Sequence, residues 1–412
     1  MIGEIIAIGD ELTSGRILNT TSYFAASQLF AAGHEIVAMT TVGDDPGLIG
    51  RTLLTSLERA EFVVVTGGLG ATTDDLTSEA VADALDRPSI FYPDILAQIK
   101  NSSRETSREV LHSLEKLAWL PEGAHALKYD AGMAGYFLVH EGKPVFFLPG
   151  VPHEMKELLV ETVISRLAVW QGEEVRQVRQ RLYRLFGLPE VEINRRIGHL
   201  EKYGPQVKIG YYPVFPEVHV SLTVSGKERS EVDVLTRDSE NEIFSRLGEH
   251  LFGVENETLE MVVGRMLAGK KLTLAVAESC TGGRIGHRLT KVPGSSDYFL
   301  GGVIAYSNGL KEKLLGVPAR TLLDHGAVSS ETARAMAEGV RQATGADIGI
   351  SVTGIAGPSG GSAEKPVGTV CFGLAISGGT RDFRHTFGGD RRQVQEISSS
   401  QALDIVRRFL MD

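Results

Sequence analysis

The sequence predicts an α/β protein: two α/β domains with mostly parallel or mixed sheets, joined by a small α+β linker domain. Three observations predict it. Short apolar runs ending in glycine alternate with helix-periodic stretches over residues 1–170 and again over 254–412. That alternation is the mark of a sheet covered by helices. Between them, 171–253 holds three strand-type stretches, with a polar helical stretch between the first two and a helix after the third, a pattern of a small antiparallel sheet with one or two helices. Finally, 412 residues exceed what one ordinary core organises.

In the first domain, Glu4–Gly9 reads as a buried strand. Asn19–Ala32 has helical spacing and places Tyr23, Leu29 and Phe30 in the core. Glu35–Thr41 and Phe62–Thr66 are further strands, and Asp74–Leu85 the next helix. Tyr136–His140 and Pro144–Leu148 form a hairpin over Glu141-Gly142-Lys143. In the linker domain, Gln177–Phe186, Val207–Tyr212 and Glu217–Val224 are strands, and Glu231–Leu247 a helix. In the third domain, strands are expected at Leu272–Ala277, Gly301–Tyr306, Asp347–Thr353, Val367–Ala375 and Arg381–Phe387. Helices are expected at Thr258–Leu267, Gly282–Thr290, Glu331–Thr344 and Arg391–Leu410.

Composition narrows the function classes. The net charge of −10 disfavours generic phosphate-backbone binding, so no direct nucleic-acid contact is expected. Two cysteines, Cys280 and Cys371, form no disulfide framework and suit a reducing cytosol. The start Met1-Ile2-Gly3-Glu4 lacks the basic opening of a signal peptide, and no apolar run approaches the roughly 20 residues of a membrane span. A cytoplasmic protein without membrane contact is the expectation.

Three loops of the third domain carry chemistry. Ala277–Gly283 (AESCTGG) joins a strand to a helix, where open α/β sheets bind ligands. Gly282 and Gly283 allow close approach of the backbone, and the helix start offers unpaired N–H groups to an anion. Ser279 or Thr281 supplies a hydroxyl nucleophile. The second loop, Tyr306–Lys311, carries an amine. The third, Thr353-Gly354-Ile355-Ala356-Gly357-Pro358-Ser359-Gly360-Gly361, suits a phosphate or ribose cradle. Taken singly, each has a plainer reading: Ser and Thr cap helices, Lys311 is a solvated charge, Tyr306 is half-buried packing, and the glycines make a flexible connection. A serine hydroxyl is protonated at neutral pH, so amide hydrolysis needs a base, and a partly buried lysine can serve. Cys280 is a rival nucleophile by intrinsic reactivity, but alternation points it away from Ser279.

In the first domain, Thr66–Asp75 (TGGLGATTDD) follows a strand. Gly67, Gly68, Gly70 and Thr72 can wrap a phosphate, while Asp74 and Asp75 can hold a hard divalent cation. The plainer reading makes the aspartates caps of the next helix. Two further loops, Gly9–Gly15 and Leu148–Met155, flank the same sheet.

The third domain resembles the CinA C-terminal domain, whose stand-alone bacterial members are nicotinamide mononucleotide deamidases. AESCTGG at 277–283, VPGSSDYFLGGVIAYSNGLKEKLLGV at 292–317, GAVSSETARAMA at 326–337 and VTGIAGPSGGSAEKPVGTV at 352–370 carry the likeness. It implies Ser279 as nucleophile, Lys311 as base, Tyr306 in the pocket, and Thr281, Gly282 and Gly283 on phosphate or ribose, with no cofactor. Residues 1–170 resemble the molybdopterin-binding-like domain of the same family through GDEL, SGRILNTTS, TGGLGATTDD and LPGVPHEMKEL. In some members that domain is a metal-assisted ADP-ribose pyrophosphatase. The resemblance therefore implies nicotinamide mononucleotide and ADP-ribose as ligands and a divalent metal at the first domain; the linker segment shows no GxxG clamp and no basic stripe with aromatics, so by elimination packing and contact in a homodimer are its expected roles. The chain departs from the family pattern at Ala71, where the family has proline, at Gly132-Met133-Ala134, and at Leu114-Glu115-Lys116-Leu117, which keeps only the lysine. The last two departures remove polar groups: a hydroxyl, and the side chains beside Lys116. Two rival readings remain open: a nucleotide sensor without turnover, and an interaction protein in DNA uptake or repair.

Overall fold

The computed structural model describes residues 1–102, 114–128, 135–172 and 177–411; Gly132, Met133 and Ala134 lie outside the described residues. The chain divides into two compact units, Met1–Arg179 with Val224–Val234, and Gln180–Thr223 with Leu235–Asp412. Most of the linker segment therefore groups with the C-terminal segment. Its Phe186 and Phe252 share a core with Leu259, Val263 and Leu403, which is the physical reason.

Unit 1 holds β1 (Ile2–Ile8), β2 (Glu35–Val42), β3 (Phe62–Thr66), β4 (Ser89–Phe91), β5 (Trp119–Pro121), β6 (His125–Ala126), β7 (Tyr136–His140) and β8 (Lys143–Leu148). Six of these form one sheet in the order β2-β1-β3-β8-β7-β6. The first four run parallel and the last two antiparallel. Side chains alternate faces along a strand. Ile5 and Val64 accordingly pack under Ala25 and Leu29, while Ile6 and Val65 pack under Ile49 and Leu53. Glu4 is fully buried on β1 and is matched by Arg59.

Helix Thr20–Ala31 is capped by Asn19, whose side chain accepts from the Ser22 amide. Its buried stripe is Thr21, Ser22, Ala25 and Leu29. Tyr23 is 76% exposed, not in the core as expected. At 100° per residue it lies about 200° from Ala25, on the opposite side of the helix. The hairpin forms as the sequence suggests. His140 pairs with Lys143, and Glu141 and Gly142 both have positive φ, the two-residue turn that matches strand twist.

β9 (Gln177–Leu185), β10 (Val207–Val214), β11 (Glu217–Gly226) and β12 (Leu251–Val254) form a sheet ordered β10-β11-β9-β12. The C-terminal sheet holds β13 (Leu274–Glu278), β14 (Phe299–Ile304), β15 (Ile348–Gly354), β16 (Thr369–Ile376) and β17 (Gly379–Thr386) in the order β14-β13-β15-β16-β17. β13 pairs in parallel with both β14 and β15, whereas β16 and β17 are antiparallel. The three parallel strands thus end at one edge of the sheet. That edge carries all three of the loops singled out above. No helix among the described residues is long and apolar enough to cross a membrane.

Candidate active site

The central loop leaves β13. The Ser279 amide donates to Val352 O at 2.9 Å, which ties it to β15. The chain then reverses within four residues, because Gly282 (φ 63) and Gly283 (φ 97) are consecutively left-handed. A Cβ at Gly282 would meet nothing within 4 Å, so this side of the turn is open; at Gly283 it would meet Ile304 Cδ1 at 2.8 Å. Helix Arg284–Thr290 follows.

The expectation that this helix start offers free N–H groups to an anion is corrected. The Glu278 carboxylate, 1% exposed, accepts from the amides of Gly283 (3.0 Å), Ile285 (3.1 Å) and Gly286 (2.9 Å). A carboxylate already opposes the partial positive charge there, so a second anion gains little.

Lys311 arrives from the adjacent strand end. Ala305, just after β14, donates its amide to Glu278 O at 2.8 Å. Ser307 then caps helix Asn308–Leu315 through the Leu310 amide. Lys311 sits one turn in, 1% exposed, and its Nζ lies 3.0 Å from Ser279 Oγ and 2.7 Å from Ala305 O. No carboxylate pairs with this amine among the described residues. Burial therefore pushes its proton affinity below that of an ordinary lysine. Thirty-two positions separate the two residues in the chain, and the parallel pairing of β13 with β14 closes that distance.

Cys280 is buried, and burial pushes its thiol up to about 12. Thiolate is therefore scarce at neutral pH, which weakens it as a rival nucleophile. Thr281 is 4% exposed, and its hydroxyl has no hydrogen-bond partner among the described residues.

The other loops contribute unequally. Tyr306 is exposed, and its hydroxyl accepts from Arg391 Nη2 at 2.8 Å. Arg391 Nη1 donates to Gly357 O at 2.8 Å, so this side chain bridges the second and third loops. Thr353 is buried and donates its hydroxyl to Ala327 O at 2.7 Å. A Cβ at Gly354 would lie 2.8 Å from Val370 Cγ2. These two therefore fill packing positions, while Gly357 reaches the Arg391 bridge. Sequence reasoning missed Glu278, Arg391 and Gln395, whose amide donates to Cys280 O at 2.8 Å. Arg391 and Gln395 are one turn apart at the start of helix Arg391–Met411. That i, i+4 spacing of two polar side chains was the only available signal.

In unit 1 the glycine loop packs against the end of β1, the start of the next helix and its own Asp75. Added Cβ atoms would lie 2.2 Å from Ile8 O at Gly67, 2.1 Å from Thr77 Oγ1 at Gly68 and 2.3 Å from Asp75 Oδ2 at Gly70. Helix Thr77–Ala84 starts later than expected, so Asp74 and Asp75 do not cap it. Instead Thr72 Oγ1 sits 2.5 Å from a carboxylate oxygen of each, and the Thr72 amide donates to Asp75 at 3.0 Å. Lys116 Nζ donates to Thr72 O at 2.7 Å. A cleft of about 440 Å³ opens beside this loop, with Glu11, Asp44, Asp74, Asp75 and Glu154 among its walls. Burial, then the charges of Asp10, Glu11 and Asp74, raise Asp44 above the usual carboxylate range.

These residues do not by themselves fit a divalent metal. No group of three or more His, Cys, Asp or Glu able to hold an ion occurs among the described residues, and Thr72 Oγ1, with one proton to donate, lies against one oxygen of each of Asp74 and Asp75. Asp75→Ala removes the acceptor for the Thr72 amide. It should cost unit 1 about 1 kcal/mol, a fall of roughly 2–4 °C in its thermal midpoint by calorimetry.

The fold and the sites define a multidomain α/β protein whose C-terminal sheet edge carries a buried Ser–Lys pair. Family models match the chain in three places: CinA C-terminal domain over 256–410, probable molybdopterin binding domain over 4–169, and damage-inducible protein CinA KH domain over 180–253. A CinA-like protein of Desulfotalea psychrophila is 51% identical over 408 residues, covering 99% of this chain and 98% of its own. A putative competence-damage inducible protein of Acetivibrio thermocellus is 40% identical, covering 100% of this chain and 99% of its own. Among solved structures, a CinA superfamily protein of Klebsiella pneumoniae is 34% identical, covers 37% of this chain and 96% of its own, and has a TM-score of 0.36. The chain belongs to the CinA family.

Proposed function

We propose that the C-terminal sheet edge hydrolyses the carboxamide of nicotinamide mononucleotide, giving nicotinic acid mononucleotide and ammonia. The observation that carries this reading is the 3.0 Å contact between Lys311 Nζ and Ser279 Oγ, both nearly excluded from water. A neutral Lys311 keeps a hydrogen for Ala305 O and aims its lone pair at Oγ. It takes the Ser279 proton as Oγ attacks the carboxamide carbon. The resulting ammonium then protonates the departing nitrogen, the C–N bond breaks, and ammonia leaves an acyl ester on Ser279. Water attacks that ester. Its proton passes to Lys311 and on to Oγ as the C–O bond breaks. The positively charged pyridinium draws electrons from the carboxamide, which makes its carbon easier to attack.

In this reading Arg391 holds the nucleotide phosphate; its bridge between the second and third loops supports the assignment. A guanidinium has five N–H donors, and Tyr306 and Gly357 take one each. Arg391→Ala should raise KM for nicotinamide mononucleotide by roughly tenfold to a hundredfold, the size of one or two charge-assisted hydrogen bonds. It should leave hydrolysis of the phosphate-free riboside unchanged. Steady-state kinetics on both substrates check this.

The decisive assay is ammonia release from nicotinamide mononucleotide by the full chain, with the acid product identified by mass spectrometry. Binding without ammonia would favour a nucleotide sensor and sink this reading. A salt-dependent DNA titration showing tight, specific binding would favour the interaction protein. For the N-terminal cleft the proposal stops at ligand binding, since no group of three or more metal-ligating side chains able to hold an ion occurs among the described residues. Metal-dependent ADP-ribose turnover that is lost in Asp74→Ala would extend it to hydrolysis. Homodimer formation, also expected, is checked by light scattering.

A further inference from the structure

The amides from 279 to 287 can be accounted for one by one. Ser279 donates to Val352 O, Gly282 to Ser279 O, Arg284 to Thr281 O and His287 to Gly283 O. Gly283, Ile285 and Gly286 donate to the Glu278 carboxylate. Two amides in this stretch have no acceptor on another residue among the described residues: Cys280, whose N–H meets only its own weakly accepting thiol, and Thr281. They are the two that directly follow the Ser279 hydroxyl. Glu278 itself is 1% exposed, and no cation pairs with it among the described residues. Burial of a carboxylate is costly unless its hydrogen bonds are complete, and here three amides and the helix start complete them.

We propose that Glu278 is a positioning residue: by binding the amides of Gly283, Ile285 and Gly286 it fixes the turn so that only the Cys280 and Thr281 amides remain to hold a tetrahedral oxyanion. The inference rests on the deamidase reading above. Without the carboxylate, three helix amides would compete for the developing charge and the 279–283 turn would lose its anchor. Gln at 278 keeps the size but turns one acceptor atom into a donor facing amide donors. Asp keeps the charge but falls one methylene short of three amides. Arrangement, not charge alone, is therefore what the two variants separate.

The test uses the full chain. Glu278→Gln should lower kcat for nicotinamide mononucleotide by at least about 100-fold, the effect of losing one oxyanion donor, with KM changed by less than about threefold. Glu278→Asp should not restore kcat; restoration would mean that charge alone matters, which overturns the proposal. A second readout needs no deamidation. A fluorophosphonate bonds its phosphorus to Ser279 Oγ and expels fluoride, with the serine proton passing to Lys311; its transition state also develops an oxyanion. Intact-mass analysis should show labelling in the wild type, labelling at least roughly tenfold slower in Glu278→Gln, and none in Ser279→Ala. Wild-type rates in Glu278→Gln, or no labelling of the wild type, overturn the proposal. Glu278-dependent labelling without ammonia release keeps the positioning role and discards the deamidase. Ammonia release that is indifferent to Glu278→Gln does the reverse. Should the variants fail to fold, hydrogen exchange on the wild type decides. The amides of Gly283, Ile285 and Gly286 should be protected beyond those of Cys280 and Thr281, and equal exchange would overturn the assignment.

Discussion

On the proposed deamidase reading, Ser279→Ala should abolish ammonia release from nicotinamide mononucleotide while leaving nucleotide binding nearly intact. The side chain is small and its hydroxyl meets one partner, Lys311 Nζ. Removing one oxygen therefore disturbs little packing. The amide of residue 279 still donates to Val352 O, so the turn keeps its anchor. What disappears is the atom that forms the acyl bond. Loss of a covalent nucleophile lowers kcat by roughly 10⁴-fold or more, at least about 5 kcal/mol of transition-state stabilisation. Titration calorimetry should give a dissociation constant for the mononucleotide within about threefold of the wild type, since ground-state contacts remain. If Cys280→Ala were instead the inactive variant, the nucleophile would be misassigned. The buried thiol, raised to about 12, argues for that variant's being active.

The fold was largely legible because its signals are local. β1, β3, β13 and β15 are short apolar runs, and helix Thr20–Ala31 carries a visible cap in Asn19; helix Pro46–Arg59, capped by Asp45, went unread. The hairpin at Glu141-Gly142 was legible for the same reason. Tyr23 was not, because a wide apolar stretch admits more than one helical face, and only tertiary packing chose the one with Ala25 and Leu29. At the site, Ser279, Lys311 and Tyr306 announce themselves as a hydroxyl, an amine and a phenol beside glycines at strand ends. Glu278 hid in plain view: at the end of an apolar strand it reads as a polar boundary, and its partners lie five to eight residues on, across a turn. Arg391 meets Tyr306 across 85 residues, a separation no periodicity reports. Thr353 misled in the opposite direction. Its hydroxyl lies in a ligand-type loop but serves Ala327 O. Local sequence shows which groups are present near a sheet edge; which of them are already engaged is a tertiary fact.

Lys311→Gln should lower kcat by roughly 10³- to 10⁴-fold, the span that a positioned general base contributes. Its pH profile separates base chemistry from mere packing. A lysine acts as a base only when neutral. Burial lowers the Lys311 pKa, so the neutral form gains ground as pH rises and does so earlier than for a free lysine, near 10.4. The sign follows: wild-type kcat/KM should climb with pH and level off once Lys311 has lost its proton, with a midpoint below the free-lysine value. The residual rate of Lys311→Gln should lack that limb. Glutamine can still donate an N–H toward the site, so a purely structural lysine would leave a variant of near-normal rate. A wild-type profile that falls through the same range would mean that the charged ammonium is the working form. Lys311 would then serve as a donor to the oxyanion, and Ser279 would need a different base.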